Sequence, residues 1–166
     1  MFLIIEKTKL AKEITQLVVS APEIARKARA GQFVVTVSKE NSERIPLTIA
    51  DANSHKGEIT LIFQEVGFST RELAGLKPGE GIQHILGPLG EPTHIEKFGT
   101  VICIGGGVGI AEMFPVARAM KQAGNRVIGI IGSRSKDLVI LEKELQEVCA
   151  ELFVTTNDGS YGKKGL

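Results

Sequence analysis

The period of the apolar residues changes near Phe98, and this change constrains the fold more than any other feature of the 166-residue chain. Upstream, short runs rich in β-branched residues (FLIIEKTKL, EITQLVVSA, GQFVVTVSK, RIPLTIAD, GEITLIFQEV and GEGIQHILGP) are separated by Gly, Pro, Asn and charged clusters. Such spacing predicts an antiparallel barrel or sandwich. One interruption reads as helical, with Ser69 capping a short turn that runs from Thr70 to Gly75. Downstream, strand and helix alternate: TVICIGGG, IAEMFPVARAMKQAG closed by Gly124, RVIGIIGS, KDLVILEKELQEVCA and ELFVTT. This alternation predicts parallel βαβ units. Residues 1–98 are therefore expected to form a β-barrel, and 99–166 the N-terminal part of an α/β domain. In a doubly wound sheet the first strand is central. Here no later strands follow to pair its second edge, so the chain reads as truncated, with an apolar edge of TVICIG unpaired.

Charge narrows the function classes. Twenty Lys and Arg stand against 19 Asp and Glu, which leaves no excess for binding nucleic acid or an anionic membrane. The apolar N-terminus meets charge at Glu6 and Lys7, too soon for a signal h-region or a membrane span, and a cytoplasmic location is expected. Cys103 and Cys149 lie in apolar or helical patterns far from any CxxC spacing, so they read as packing residues. His55, His84 and His94 have no second ligand-type residue at metal spacing. No metal site is expected.

ICIGGGVGIAEMF carries the strongest chemistry legible from residues alone. An apolar strand runs into Gly105, Gly106, Gly107, Val108 and Gly109, and a helix begins at once. Glycines at such a junction allow a sharp turn and bring helix N-terminal N–H groups against a phosphate. The spacing is GxGxG, which matches neither GxGxxG nor a Walker loop, and glycines used only for packing remain the alternative. Near the end of the second strand, where dinucleotide enzymes choose between NAD and NADP, stand Ser133, Arg134 and Lys136 in GSRSKDL. They lean towards a phosphate or form a solvated turn.

Taken in order, RIPLTIAD, FQEVGFST, LGPLGEP, ICIGGGVGIA and TNDGSYGKKG resemble the FAD/NAD(P)-binding electron-transfer subunits of the ferredoxin reductase type. That group includes the small subunit of NADH-dependent ferredoxin:NADP oxidoreductase, sulfide dehydrogenase, the hydrogenase gamma subunit and the dihydroorotate dehydrogenase electron-transfer subunit. The resemblance implies an antiparallel Greek-key FAD-binding barrel followed by a truncated, doubly wound parallel α/β nucleotide-binding domain. It places Pro46, Leu47 and Thr48 along the flavin, with the Thr48 hydroxyl at the reactive N5 edge. Ile62, Phe63 and Gln64 line the cofactor, and Gly67, Ser69 and Thr70 offer donors to its pyrophosphate. Arg44 corresponds to the motif arginine, although it stands four residues before Thr48 instead of three. Gly105 to Gly109, Ser133, Arg134 and Asp158 fall on the NAD(P) side.

The function so implied is electron transfer between NAD(P)H and a redox-partner protein through FAD, in a hetero-oligomer or homodimer. A non-catalytic FAD or nucleotide-binding module of a larger oxidoreductase complex is the alternative, and a structural domain without cofactor a third reading. Family chains continue into a cysteine-rich [2Fe-2S] segment, whereas two cysteines cannot supply four cluster ligands, so no cluster is expected in this chain.

Overall fold

The computed structural model describes residues 1–165, which form two compact units, Met1–Pro92 and the residues from Thr93 onward. The first unit is built on a seven-stranded sheet. Strands β1 (Phe2–Ala11) and β2 (Ile14–Ser20) form a hairpin whose turn is closed by Glu13 at φ 60°. They are followed by α1 (Pro22–Lys27), β3 (Phe33–Val37), β4 (Ile45–Asn53), β5 (Glu58–Gln64), α2 (Phe68–Gly75), β6 (Gly81–Ile82) and β7 (His84–Leu89). The strand order is β6-β1-β2-β5-β4-β3-β7, and every pairing is antiparallel. Strands β6 and β7 lie at opposite edges of this sheet, yet only Gln83 separates them in sequence. The chain itself therefore bridges the two edges, and the sheet is a nearly closed barrel.

Side-chain alternation fills the interior, because successive residues of a strand point to opposite faces. Leu17 and Val19 of β2, Val34 of β3, Leu47 and Ile49 of β4, and Ile59, Leu61 and Phe63 of β5 belong to one buried core, joined by Ile82 and Ile85. Helix α1 adds Ile24 and Ala25, and α2 adds Leu73 and Ala74. Helix α1 was not expected from sequence; Pro22 at its start presets the backbone for a helical turn. At the other end of α2, the Lys7 ammonium donates to the carbonyls of Ala74 and Leu76. Just ahead of that helix, the Glu65 carboxylate accepts from Lys9 Nζ and from Thr15 Oγ1 at 2.5 Å, and these bonds, the Lys9 one foremost, hold it below the ordinary value of a glutamate.

The second unit carries β8 (Thr100–Gly106), α3 (Gly109–Gln122), β9 (Arg126–Ser133), α4 (Glu142–Val148), β10 (Glu151–Thr156) and β11 (Lys163–Lys164). Its sheet order is β11-β10-β9-β8, parallel throughout, so β8 lies at an edge. Helix α3 packs on β8 and β9 through Ile110, Ala111, Met113, Ala117 and Met120, while Ile102 and Ile104 on the other face of β8 are exposed. Asn125, 7% exposed, ties the unit together: its Oδ1 accepts from the N–H groups of Phe98 and Gly99, and its Nδ2 donates to the carbonyls of Glu96 and Met120.

The helix expected over KDLVILEKELQEVCA is divided into a 3-10 turn at Lys136–Leu138 and α4. Leu141 at φ 55° makes the break, and buried Ile140 lies beside it. Cys103 is buried and Cys149 half-buried, both free, and burial raises both thiols above their ordinary value.

Two stability measurements check these anchors. Lys7→Met should cost about 1–2 kcal/mol, since a charged donor to two helix-end carbonyls is lost, and should lower the urea midpoint without changing the slope. Glu65 is held low in the folded state, so its contribution is complete above the unfolded value and disappears as pH falls through the lower folded one. Urea midpoints of the wild type and Glu65→Gln, followed from about pH 6 to about pH 3, should converge at the acid end.

Candidate functional site

The alternation that buries Leu47 and Ile49 turns Pro46 and Thr48 to the outer face of β4, where Pro46 is exposed and Thr48 half-buried. On β5 the same logic puts Phe63 in the core and turns Ile62 and Gln64 to the other face, where Ile62 is nonetheless buried at 7% exposure and Gln64 is half-buried. Strand β3 pairs Phe33 with Thr48 and Val35 with Pro46 on the other side. The outer surface so formed is largely apolar, with the Thr48 hydroxyl and the Gln64 amide as its polar groups. It suits a flat ring system with a few hydrogen-bonding atoms. Leu47 and Phe63, grouped with these residues from sequence, belong instead to the barrel core, so only their backbone is left for a ligand. Arg44 is exposed just ahead of β4.

Helix α2 begins at Phe68 with Gly67 as its cap, two residues earlier than a Ser69 cap would place it. Thr70 closes that cap: its Oγ1 accepts from the Gly67 N–H at 3.0 Å and donates to the Gly67 carbonyl at 3.1 Å. The N–H groups of Phe68, Ser69 and Thr70 have no acceptor within an α-helix, and the helix dipole adds partial positive charge there. Ser69 is 7% exposed, and its hydroxyl donates to the Glu43 carboxylate at 2.6 Å. An anionic oxygen thus already accepts from this turn. A Cβ on Gly67 would meet nothing within 4 Å, so the approach to the cap is open. Donor chemistry, an anionic oxygen in place and open space all fit a phosphate-bearing ligand.

The glycines between β8 and α3 divide their work. A Cβ on Gly105 would lie 3.0 Å from Ile110 Cα and 3.3 Å from the Gly109 carbonyl oxygen, so this glycine serves the packing of helix on strand. Gly107 sits at φ 56°, in the left-handed region, and its N–H donates to the Gly132 carbonyl. Around Gly107 and Gly109 an added Cβ would meet nothing within 4 Å. The Ile110 and Ala111 N–H groups turn back to the Gly107 and Val108 carbonyls, which leaves those of Val108 and Gly109 as the donors of this turn.

At the end of β9, Ser133 is buried and its hydroxyl donates to the Ser135 carbonyl at 2.7 Å, whereas Arg134 is exposed. Asp158 accepts from the N–H and hydroxyl of Ser160, at 2.9 and 2.7 Å, and these bonds hold its carboxyl below the usual range. Its own N–H donates to the Arg134 carbonyl. Ser133 and Asp158 are thus engaged in local turns, and of the three only the Arg134 side chain faces solvent unengaged by them. Sequence reasoning missed Glu43 and Tyr161. Tyr161 donates its hydroxyl to Glu142 at 2.8 Å, and its N–H and carbonyl both bond the buried Thr156 hydroxyl. Among the described residues no three His, Cys, Asp or Glu gather as a metal site, and no helix is long and apolar enough to cross a membrane.

No family model matches the chain. It is 41% identical over 163 residues to the dihydroorotate dehydrogenase B (NAD(+)) electron transfer subunit homolog of Thermotoga maritima, which covers 98% of this chain and 57% of that protein. It is 31% identical over 170 residues to the dihydroorotate dehydrogenase B (NAD(+)) electron transfer subunit of Bacillus cereus strain Q1, covering 99% and 65% respectively. Among solved structures, a chain of the NADH-dependent reduced ferredoxin-NADP oxidoreductase, described in work on flavin-based electron bifurcation, superposes with a TM-score of 0.94 at 41% identity, covering 99% of this chain and 59% of that one. The chain thus spans less than two thirds of the length of these relatives. It resembles the FAD/NAD(P)-binding electron-transfer subunits of the ferredoxin reductase and dihydroorotate dehydrogenase B type.

The division of labour in the glycine turn is testable by melting. Gly105→Ala should cost about 1–3 kcal/mol because backbone atoms must move. Gly109→Ala, at a helix start with open space, should stay within about 0.5 kcal/mol of wild type. Equal losses would show that the two glycines are not distinguished by packing.

Proposed function

We propose that this chain is the FAD-binding, NAD(P)H-reactive part of an electron-transfer flavoprotein that passes reducing equivalents between NAD(P)H and a redox-partner protein. The observation that carries the reading is local to the first unit: an apolar outer face bearing Thr48, together with a helix start where Ser69 already donates to an anionic oxygen. Similarity to electron-transfer subunits across 98% of the chain supports it.

In this reading residues 1–98 form a Greek-key FAD barrel and 99–166 part of a doubly wound NAD(P) domain. Bound FAD supplies the chemistry, since a flavin accepts two electrons together and releases them singly. Pro46, Thr48, Ile62 and Gln64 orient the ring and shield one face from water. The Thr48 hydroxyl hydrogen-bonds at the N5 edge. Gly67, Ser69 and Thr70 take the pyrophosphate, with Arg44 adding charge from the preceding loop. The N–H groups of Val108 and Gly109 receive the dinucleotide phosphates, and Arg134 faces its ribose end. No side-chain acid or base is required, and no [2Fe-2S] cluster belongs to this chain. The partner is a redox protein or catalytic subunit, in a hetero-oligomer or a homodimer.

The second reading is a non-catalytic FAD-binding module of a larger oxidoreductase complex. Visible absorption and stopped-flow reduction separate the two. The protein should bind about one FAD per chain, and NAD(P)H should bleach the flavin band if the chain reduces its cofactor. Thr48→Val should keep the FAD but slow the bleaching about 3- to 10-fold, the worth of one hydrogen bond at the reacting edge. A flavin that binds but is never bleached supports the module reading; absence of flavin overturns both as FAD-binding readings.

A further inference from the structure

Glu43 occupies a position that the proposed function reserves for a phosphate oxygen. Its carboxylate accepts the Ser69 hydroxyl at 2.6 Å, across 26 residues of sequence, at the first turn of α2. Glu43 is exposed while Ser69 is buried, so the charge reaches the turn from the solvent side.

The loop that carries Glu43 is fixed independently of it. Glu72, on the same helix, accepts from the hydroxyls of Ser38 and Ser42, the latter at 2.5 Å, and the two bonds hold its carboxyl below the usual range. Within the loop, the Lys39 N–H donates to Ser42 Oγ and the Ser42 N–H to the Lys39 carbonyl, with Asn41 at φ 68° in the turn. Residues 38–42 therefore stay on the helix whether or not Glu43 is engaged. Only the Glu43 side chain has to swing away for Ser69 to change acceptor.

We propose that Glu43 is an internal competitor for the pyrophosphate of FAD, and so a residue that sets flavin affinity and preference. This rests on the FAD reading of the first unit. One hydroxyl donor serves either the carboxylate or a phosphate oxygen, and two anions a few ångströms apart repel each other. Glu43 thus satisfies the turn in the flavin-free protein and lowers affinity for phosphate-bearing flavins. Riboflavin, which has no phosphate, does not compete with it.

The test is a flavin-fluorescence titration of the flavin-free full chain, with Glu43→Gln and Glu43→Ala beside the wild type, using FAD and riboflavin as probes and circular dichroism to verify folding. Both variants should bind FAD about tenfold more tightly at low salt, with the gap narrowing as ionic strength rises, and should bind riboflavin as the wild type does. Unchanged or weaker FAD binding by both folded variants would overturn the role of Glu43 while leaving the FAD reading intact. Equal gains for FAD and riboflavin would also overturn it, because the effect would not involve phosphate. If no form binds FAD, the underlying reading falls together with this one.

Discussion

A single short segment has to satisfy both edges of the seven-stranded sheet, and the rest of the first unit depends on it. Gly81–Ile82 pairs with β1, and after Gln83 the same chain pairs with β3 from His84 onward. Open sheet edges present unpaired backbone groups that invite association, and this connection pairs consecutive stretches of one segment with the strands at both sides of the sheet. It demands close approach. A Cβ on Gly87 would lie 2.6 Å from Val34 Cγ1, so β7 meets β3 only because that position is glycine. Closure also fixes which side of every strand is inside. With Leu47, Ile49, Ile59, Leu61 and Phe63 committed to the core, Pro46, Thr48 and Gln64 face outward, and Ile62, on the same side, is covered.

Helix α2 is positioned by the hairpin beneath it. Lys7 of β1 holds its C-terminal carbonyls, and Thr15 of β2 and Lys9 of β1 hold Glu65 just ahead of its N-terminus. The C-terminal end of this eight-residue helix is thus tied to β1, and the residue just ahead of its start to β1 and β2, which aims its first turn and the donors it carries. Such a helix has little stability of its own in water, so its direction is a property of these contacts.

The second unit solves a similar problem with glycine. Helix α3 lies so close to β8 that Gly105 has no space for a side chain, and the same approach draws the Ile110 and Ala111 N–H groups into the turn itself. The donors available to a ligand are reduced to those of Val108 and Gly109. Packing and phosphate binding, alternatives at the level of the motif, are shared out among neighbouring residues of one turn.

The sequence by itself determined the element types and their order, because period-2 and period-3.6 apolar patterns are local. RIPLTIAD and GEITLIFQEV read as strands, IAEMFPVARAMKQ as a helix, and their structures are β4, β5 and α3. The GGGVG turn was legible for the same reason. Tertiary structure decided what depended on distant partners. It placed Leu47 and Phe63 in the core and Thr48 outside, since either face of a strand is compatible with its composition until the sheet closes. It divided the expected helix after Lys136 at Leu141, and it set Gly67 as the cap of α2 in place of Ser69. It also joined Glu43 to Ser69 and Tyr161 to Glu142. A hydrogen bond between side chains far apart in sequence leaves no periodic trace, because its existence depends on how the backbone between them is folded.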